Sequence, residues 1–251
     1  MLKRALFLVT NESEIDALCK FSKAISKKYD VETHVLYVED VLKYEVYPPT
    51  INGVGLNVGL NYSYQEYINI ESKNYKIIKD KIEKDFTKVY SRDGETVEIA
   101  LEELKKYDFL VVVKNDKVSA NLKELLRSSY KPLIILPLNI DEAKMDKLVL
   151  LDDGAYNANK TLFTYFNIFG EQKIDVLKVN VDEEDFLKER FGNNYNVIKK
   201  EGVPFKIIME ETKKYDMVLM GDLRYTVMVE RITRKLGVKL LENLEKIIFI
   251  V

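Results

Sequence analysis

The tetrapeptide Lys-Lys-Tyr-Asp occurs at 105–108 and again at 213–216, and an apolar run of strand length follows each copy. The two copies are 108 positions apart (105 to 213), and Gly94 and Gly202, which precede them, have the same spacing. Self-similarity at a fixed distance is typical of a duplicated structural unit. We therefore predict two copies of one unit, a first half and a second half, each built around a buried strand.

The beginnings of the two halves also correspond, but at a different distance. Residues 4–9 and 147–151 are apolar runs, and each is followed by a short polar turn and a helical stretch. In this alignment Asn11 corresponds to Asp153, which is 142 positions later (11 to 153). Because the distance falls from 142 to 108, we expect the first half to carry 34 extra residues, at about 45–86.

Strands alternate with helices along both halves. Apolar runs predict strands at 4–9, 31–38, 87–91, 109–113 and 133–136, and at 147–151, 174–179, 195–199, 217–220 and 247–251. Helical periodicity predicts helices at 13–29, 65–86, 95–106 and 119–129, and at 156–170, 183–191, 203–214 and 224–243, with Ser13 as the first N-cap. Such alternation favours parallel sheets covered by helices. The predicted fold class is α/β, with two doubly wound five-stranded parallel-sheet units in tandem at 1–138 and 146–251.

Composition and charge exclude several classes of protein. With 39 Lys and Arg against 41 Asp and Glu, the formal net charge is −2, which argues against a nucleic-acid-binding protein. The single cysteine, Cys19, excludes an intrachain disulfide and fits a reducing compartment, so we expect a cytoplasmic protein. No apolar run approaches the ~20 residues of a membrane span, and the run at 5–9 is too short for a signal peptide.

Three stretches carry a resemblance to a known family. They are the turn Leu-Asp-Asp-Gly-Ala at 151–155, the strand Tyr-Asp-Met-Val-Leu-Met-Gly at 215–221, and the apolar last strands at 133–136 and 247–251. In this order they resemble a tandem universal stress protein, over both halves except about 45–86. The resemblance implies an adenine-nucleotide α-hydrolase-like fold and a stress-response role. It also implies ATP or another adenine nucleotide as ligand, and an internal dimer in which the two last strands pair.

The glycine-rich phosphate loop of that family is mostly replaced in this chain. ATP-binding members carry Gly-x2-Gly-x9-Gly followed by Ser or Thr, which lets the backbone approach phosphates. In the second half the first glycine is Gly221, but the next two positions hold Arg224 and Arg234, and Lys235 follows. The corresponding first-half residues are Lys114, Lys117 and Arg127. One of the six expected glycines therefore remains.

The resemblance assigns a degenerate nucleotide site to the second half, at Asp153, Gly221, Arg224, Arg234 and Lys235. Under this hypothesis Asp153 holds the ribose or the adenine, and the basic side chains replace backbone N–H groups as phosphate donors. Under the alternative, Asp153 is a turn residue that caps the following helix, Gly221 ends a strand, and the basic residues form a solvated helix face.

Other residues that carry chemistry are few. His34, the only histidine, lies in a predicted strand, and we interpret it as structural. Cys19 lies on the apolar stripe of the first helix and is interpreted as buried. The sequence has no Walker A loop and no zinc-ligand spacing, so we assign no catalytic residue and no metal site. The glycine- and tyrosine-rich stretch 45–64 is a lid, a partner surface or a plain surface excursion.

Three functions are compatible with these features. The first is a non-catalytic stress-response or regulatory protein with degenerate nucleotide sites, which acts through protein partners as an intrachain pseudo-dimer or a homodimer. The second is a sensor that binds a nucleotide or another phosphate-bearing ligand at the carboxyl ends of the second-half strands. The third is an adenylating or phosphate-cleaving enzyme. It is disfavoured because neither half has a glycine- and serine-rich loop after its first strand, although weak ATPase activity stays open.

Overall fold

The computed structural model describes residues 2–44, 58–115, 117–182, 187–221 and 230–251, with side chains for all of these except 58–63 and 230–235. Within these residues the chain forms ten β-strands: β1 (Lys3–Val9), β2 (Val31–Glu39), β3 (Lys88–Asp93), β4 (Phe109–Lys114), β5 (Leu133–Pro137), β6 (Leu148–Asp152), β7 (Ile174–Val179), β8 (Tyr195–Lys200), β9 (Met217–Met220) and β10 (Ile247–Ile250). The same residues form eight α-helices: α1 (Ile15–Tyr29), α2 (Val58–Ile82), α3 (Thr96–Glu103), α4 (Ala120–Ser128), α5 (Tyr156–Phe169), α6 (Leu187–Phe191), α7 (Pro204–Glu211) and α8 (Glu230–Asn243).

All ten strands belong to one sheet, in the order β3-β2-β1-β4-β5-β10-β9-β6-β7-β8. The first half contributes β1–β5 and the second half β6–β10. Neighbouring strands are parallel except at the centre, where β5 and β10 pair antiparallel. The predicted α/β fold class and the predicted pairing of the two last strands are therefore confirmed.

Helices bury both faces of the sheet, as the nearly continuous apolar sequences of the strands require. Helices α1, α2, α5 and α6 cover one face, around a core that includes Phe7 and Tyr165. Helices α3, α4, α7 and α8 cover the other face, around a core that includes Leu6 and Leu110. Because Leu6 and Phe7 are consecutive in β1, their side chains serve opposite faces.

The antiparallel seam joins the two halves through shared aromatic packing. Phe249 of β10 is fully buried, and its ring centroid lies 5.2 Å from that of Tyr165 and 6.2 Å from that of Phe169. The ring of Phe169 lies 5.5 Å from Phe109 and 5.0 Å from Tyr29, which both belong to the first half. The two halves therefore bury apolar surface against each other, and we expect them to unfold together.

The segment between the halves, 139–146, is held against α1. Ile140 and Met145 are buried. The ammonium group of Lys20 donates to the carbonyl of Ile140 at 2.9 Å, and that of Lys28 donates to the carbonyl of Met145 at 3.2 Å. Because this segment packs against α1, it marks no clear break between the two halves. The unit boundaries near 138 and 146 therefore stay a prediction.

The repeated tetrapeptide has the same structural role in both halves. Asp108 accepts a hydrogen bond from the backbone N–H of Arg4 at 2.7 Å, which fixes the start of β1 beside β4. Asp216 accepts from the backbone N–H of Lys147 at 2.9 Å, just before β6. Equal contacts at a spacing of 108 residues are the outcome expected of a duplicated unit.

The strand registers correct the predicted alignment of the two beginnings. Ala5 lies beside Phe109, and Leu148 lies beside Met217. Phe109 and Met217 keep the spacing of 108, so Ala5 corresponds to Leu148. These two residues are 143 positions apart (5 to 148), rather than the predicted 142.

Thr10, and not Asn11, therefore corresponds to Asp153. Asn11 begins a helical segment instead, because its side-chain oxygen accepts a hydrogen bond from the N–H of Ser13 at 3.0 Å. The prediction that Ser13 is the N-cap is wrong. A one-turn 3-10 helix, Glu12–Glu14, precedes α1, and Asn11 caps that turn.

The insertion in the first half contains the long helix α2, which begins before the predicted start at 65. Its Glu71 side chain is fully buried. The carboxylate accepts hydrogen bonds from the hydroxyls of Tyr37 at 2.8 Å and Tyr44 at 2.7 Å, and from the ammonium group of Lys43 at 2.8 Å. A carboxylate with three donors is well satisfied, so these bonds attach α2 firmly to β2 and the turn after it.

Candidate functional site

Each half has a crevice at the carboxyl ends of its first and fourth strands, where the strand order reverses. The first-half cleft lies at the ends of β1 and β4, and the second-half cleft lies at the ends of β6 and β9. Doubly wound sheets bind ligands at such points. The two clefts differ in their chemistry, although the strands around them correspond.

A buried carboxylate occupies the polar centre of the first-half cleft. Glu14 is only 3% exposed. It accepts hydrogen bonds from the N–H of Thr10 at 2.8 Å, from the hydroxyl of Thr10 at 2.7 Å and from the side-chain amide of Asn11 at 2.8 Å. Burial raises the pKa of Glu14, although these hydrogen bonds oppose the shift. When ionised, this carboxylate repels an anionic ligand.

Lys114, which stands at the first glycine position of the first half, serves the other half of the protein. Its side chain is buried at the end of β4. Its ammonium group donates to the carbonyl of Leu241 at 2.5 Å, in the last turn of α8. A cation at the carboxyl end of a helix interacts favourably with the helix dipole and with its unpaired carbonyls. Lys114 is therefore a cap for α8.

The helix that follows β4 is capped as well. Ser119 accepts a hydrogen bond from the N–H of Leu122 at 3.1 Å, which occupies a donor of the first turn of α4. The cavity that remains between Thr10, Lys114 and Ser119 is about 130 Å³. Pockets for small molecules typically measure ~300–1,000 Å³. The first-half cleft is therefore too small for a nucleotide in this conformation.

The second-half cleft begins with a turn made by two aspartates. Asp152 accepts a hydrogen bond from the N–H of Gly154 at 2.9 Å, and Asp153 accepts one from the N–H of Ala155 at 3.0 Å. Gly154 has φ +83°, a conformation that favours glycine. Asp153 is exposed at the cleft. Asp153 thus acts as a turn residue, as its alternative predicted, but the predicted capping of the following helix is not observed, because Ala155 is the N-cap of α5.

A buried ion pair lies beneath this turn. The ammonium group of Lys178 lies 3.3 Å from the carboxylate of Asp152, and the two side chains are 4% and 9% exposed. The two residues are register partners on β7 and β6. Their counterparts in the first half, Tyr37 and Val9, are also register partners but form no such pair. The second half therefore places a buried ion pair where the first half has Val9 beside Tyr37, whose hydroxyl donates to the buried carboxylate of Glu71.

Sequence reasoning missed this pair. The only signal was a lysine at 178, within a predicted strand that is apolar at four of its six positions, and a buried lysine is uncommon unless it is paired.

The helix of the second-half cleft starts without a side-chain cap. Ala155 occupies the N-cap of α5 and makes no side-chain hydrogen bond to the first turn. Backbone N–H groups at a helix start attract anions when no side chain takes them. Tyr156, the first residue of α5, is 92% exposed beside the turn.

Gly221 lets the end of β9 approach α5. A Cβ atom at this position would lie 3.1 Å from the Cβ of Asn157 and 3.2 Å from the backbone nitrogen of Ala158. The hydroxyl of Thr161 donates to the carbonyl of Met220 at 3.1 Å, which adds to the same contact. Gly221 is therefore needed for close packing at the edge of the cleft, which agrees with the strand-end alternative.

The three basic residues of the predicted site are not placed by the structure. Arg224 lies outside the described residues. Arg234 and Lys235 belong to α8, but their side chains lie outside the described atoms. Of the predicted site residues, the structure places Asp153 and Gly221, which directly follow the adjacent strands β6 and β9. The proximity of the basic side chains stays a prediction, and the stretch 45–57 also lies outside the described residues.

The described residues also bear on metal sites and on membrane-spanning helices. No group of three or more His, Cys, Asp or Glu side chains in the described ranges has the arrangement to hold a metal ion. Among the described helices, none combines the length and the apolar character that crossing a bilayer requires.

Cys19 is 8% exposed on α1, and burial raises the pKa of its thiol to about 12. A thiol of this kind is unreactive at neutral pH.

Solved structures share this fold over nearly the whole chain. A universal stress protein from Archaeoglobus fulgidus DSM 4304 has a TM-score of 0.69 at 16% identity and covers 98% of this chain and 95% of its own. A protein assigned to the universal stress proteins from Pseudomonas aeruginosa UCBPP-PA14 has a TM-score of 0.62 at 10% identity, with coverages of 100% and 93%. A functionally unknown protein from Pseudomonas aeruginosa PAO1 has a TM-score of 0.58 at 12% identity, with coverages of 98% and 92%.

The sequence itself matches no protein-family profile and no curated protein. The resemblance predicted from the sequence is confirmed at the level of the fold, since the chain has the fold of these universal stress protein structures along its full length.

Proposed function

We propose that this chain is a regulatory stress-response protein of the universal stress protein type, without catalytic activity, and that its second-half cleft binds an adenine nucleotide or another phosphate-bearing ligand. The observation that carries the proposal is the difference between the two clefts. The first-half cleft is narrowed by its own side chains, whereas at the second-half cleft the start of α5 has no side-chain cap.

Loss of the first-half site follows from three contacts. Glu14 places a buried carboxylate where phosphate would approach, and Thr10 and Asn11 are bonded to it. Lys114 lines the cleft, but its ammonium group donates to a carbonyl at the carboxyl end of α8. Ser119 caps α4. A ligand would have to break these contacts before it could bind.

The proposed second-half site depends on the start of α5 and on three basic residues. The start of α5 carries N–H groups without a side-chain cap, beside Asp153 and Gly221. Arg224, Arg234 and Lys235 would add positive charge, and guanidinium groups bind phosphate through two parallel hydrogen bonds. Asp153 would then bind the hydroxyls of the ribose, for which a carboxylate is a good acceptor.

The proposal of a non-catalytic role rests on the position of the candidate acid–base groups. His34 lies near the amino end of β2, at the opposite end of the first-half strands from their cleft, and five strands separate β2 from β6 in the sheet. Asp152 and Lys178 are buried and paired with each other, so neither is positioned to transfer protons to a ligand. A ligand in the cleft would then change the surface that the protein offers to a partner.

Thermal unfolding with and without ATP, ADP, AMP and cyclic dinucleotides tests this proposal, together with titration calorimetry. A ligand present at 100 times its Kd should stabilise the protein by ~2.7 kcal/mol. Asp153→Asn keeps the turn acceptor but removes the charge, and Arg234→Ala removes one predicted phosphate donor. Both variants should weaken binding, whereas the control Lys117→Ala in the first half should not.

Two results would contradict the proposal. If no nucleotide shifts the melting temperature, the second-half cleft does not bind this class of ligand. If purified protein releases phosphate or pyrophosphate from ATP in steady-state turnover that Asp153→Asn abolishes, the protein is an enzyme.

A further inference from the structure

A single carboxylate connects the turn of the second-half cleft to the neighbouring strand. Asp152, the last residue of β6, accepts a hydrogen bond through Oδ1 from the backbone N–H of Gly154, at 2.9 Å. Its Oδ2 lies 3.3 Å from the ammonium group of Lys178, on β7. Each oxygen therefore has a partner of its own, one in the turn and one in the sheet. The carboxylate cannot rotate without breaking one of these contacts.

Asp153 lies within the turn that this carboxylate holds. Its side chain accepts a hydrogen bond from the N–H of Ala155 at 3.0 Å, and Gly154, between the two, has φ +83°. The N–H of Gly154 belongs to the planar peptide group that joins Gly154 to Asp153. The bond from this N–H to Asp152 therefore fixes the backbone of Asp153 directly. The direction in which Asp153 presents its carboxylate depends on Asp152, and through it on Lys178.

The cost of burying two charges means that stability alone does not account for this pair. The side chains of Lys178 and Asp152 are 4% and 9% exposed. Taking two charges out of water is costly, and their attraction often does no more than offset that cost, so an apolar pair of similar volume is often as stable. An apolar pair would hold β6 beside β7, but it would not orient a carboxylate toward the turn. Orientation of the turn is therefore the property that the ion pair adds.

The first half holds its corresponding loop in another way. Val9 and Tyr37 occupy the positions that correspond to this ion pair. A valine side chain has no acceptor for the turn that follows it, and the hydroxyl of Tyr37 donates to Glu71 of the insertion at 2.8 Å. The loop after β1 relies on Asn11 instead, whose side chain accepts from the N–H two residues later. Of the two clefts, the second-half cleft is the one whose turn is oriented by a lysine of the neighbouring strand.

We propose that Lys178 and Asp152 are positioning residues for the ligand of the second-half cleft. This role rests on the proposed function, in which Asp153 binds the hydroxyls of a ribose. Lys178 fixes Asp152, and Asp152 fixes the N–H of Gly154, so Asp153 is held in one orientation before the ligand arrives. Such preorganisation raises affinity, because less conformational freedom is lost on binding. Lys178 also balances the charge of Asp152, which would otherwise repel an anionic ligand.

Two simultaneous neutral substitutions remove the ion pair without leaving an unpaired buried charge. In this neutral-pair variant, Asp152→Asn keeps an oxygen for the N–H of Gly154, and Lys178→Met keeps a side chain of similar length. The asparagine is no longer fixed by a charged partner. We expect the affinity for ATP, measured by titration calorimetry, to fall about tenfold, the scale of the freedom that one immobilised side chain loses. The melting temperature should change little, because neutral replacement of a buried ion pair often costs no stability.

The ribose hydroxyls give a readout that a loss of stability alone does not change. The unmodified protein should bind ATP more tightly than 2′,3′-dideoxy-ATP, which lacks the hydroxyls that would donate to Asp153. The neutral-pair variant should lose this preference, because Asp153 is no longer oriented. Lys178→Arg keeps a charge beside Asp152 and should retain the preference.

A similar pair in the first half supplies the control. The ammonium group of Lys43 lies 2.8 Å from the carboxylate of Glu71, whose side chain is fully buried. Lys43→Met together with Glu71→Gln makes the same chemical change at a distance from the second-half cleft. This control variant should change neither the affinity for ATP nor the preference over 2′,3′-dideoxy-ATP. Equal weakening by the two double variants would show a general effect of lost stability and would refute the positioning role.

The remaining outcomes separate failure of the positioning role from failure of the proposed function. If the neutral-pair variant keeps the affinity and the preference of the unmodified protein, the ion pair is purely structural. If the unmodified protein binds ATP without any preference over 2′,3′-dideoxy-ATP, Asp153 does not bind the ribose and the pair positions nothing, although the nucleotide site stands. If the unmodified protein binds neither compound, the proposed nucleotide site is wrong, and the positioning role is wrong with it.

Discussion

Phe249→Ala tests whether the two halves share one core. Phe249 is fully buried in β10, and its ring meets that of Tyr165 edge-on at 5.2 Å. Truncation of a buried phenylalanine costs ~3–5 kcal/mol, because the transfer free energy of the ring and the energy of the cavity add. We expect a loss of about 4 kcal/mol in the free energy of unfolding, measured by urea denaturation and circular dichroism.

The loss of stability caused by Phe249→Ala should affect both halves of the protein. The ten strands form one sheet through β5 and β10, and Phe169 links Phe249 to Phe109 of the first half. Hydrogen exchange should therefore show faster exchange in β1 and in β6 alike. Tyr156→Ala removes a ring that is 92% exposed and should cost less than ~0.5 kcal/mol. Loss of protection confined to the second half, or a cost below ~1.5 kcal/mol, would refute the idea of a shared core.

Three further predictions concern buried carboxylates. Burial raises the pKa of Glu14, so its contribution to stability is complete below pH 4.5 and is lost as the pH rises through the raised pKa. Urea unfolding of Glu14→Gln across this pH range should not show that decline in stability. A stability profile identical to that of the unchanged protein would contradict this prediction. Burial opposes ionisation of Glu103, but hydrogen bonds from Lys106, Arg92 and Tyr90 lower its pKa. The contribution of Glu103 to stability is therefore present above pH 4.5 and is lost as the pH falls through the lowered pKa. Glu103→Gln should flatten the acid limb of the curve of unfolding free energy against pH. Glu71→Leu leaves the hydroxyls of Tyr37 and Tyr44 without their acceptor and should lower the free energy of unfolding by about 3 kcal/mol. Amide hydrogen exchange should become faster in α2 than in β6. Equal exchange in both elements would show that Glu71 does not anchor the insertion.

The fold was predictable because its signals are local or repeated. Strands buried on both faces give short apolar runs, and the bounds of β7 and β9 agree with the prediction to the residue. The pairing of β5 with β10 was predicted from the family resemblance, and the apolar character of both strands, which would otherwise leave exposed edges, supported it. The alignment of Asn11 with Asp153 failed because a polar turn carries no periodicity, and only the register of β1 against β4 reveals the shift of one residue.

The site was less predictable because its contacts join residues that are far apart in the chain. Lys178 pairs with Asp152 across two strands, and no local pattern connects them. Lys114 reaches the carbonyl of Leu241, in the other half of the protein, and its sequence position suggested only a lost glycine. Glu14 looks like an exposed residue at the start of a helix, yet Thr10 and Asn11 hold it inside the cleft.

The contacts that close the first-half cleft also make its loss hard to reverse. Replacing Lys114 by glycine would restore one position of a phosphate loop, but it would leave the last carbonyls of α8 without this donor. Removing Glu14 would free the cleft, but Thr10 and Asn11 would lose the acceptor that satisfies them. Each single step toward binding thus costs stability before any ligand compensates. At the site that we propose in the second half, Asp153 and Gly221 would serve a ligand while they hold the turn and the packing of β9, so selection for stability would not act against that site.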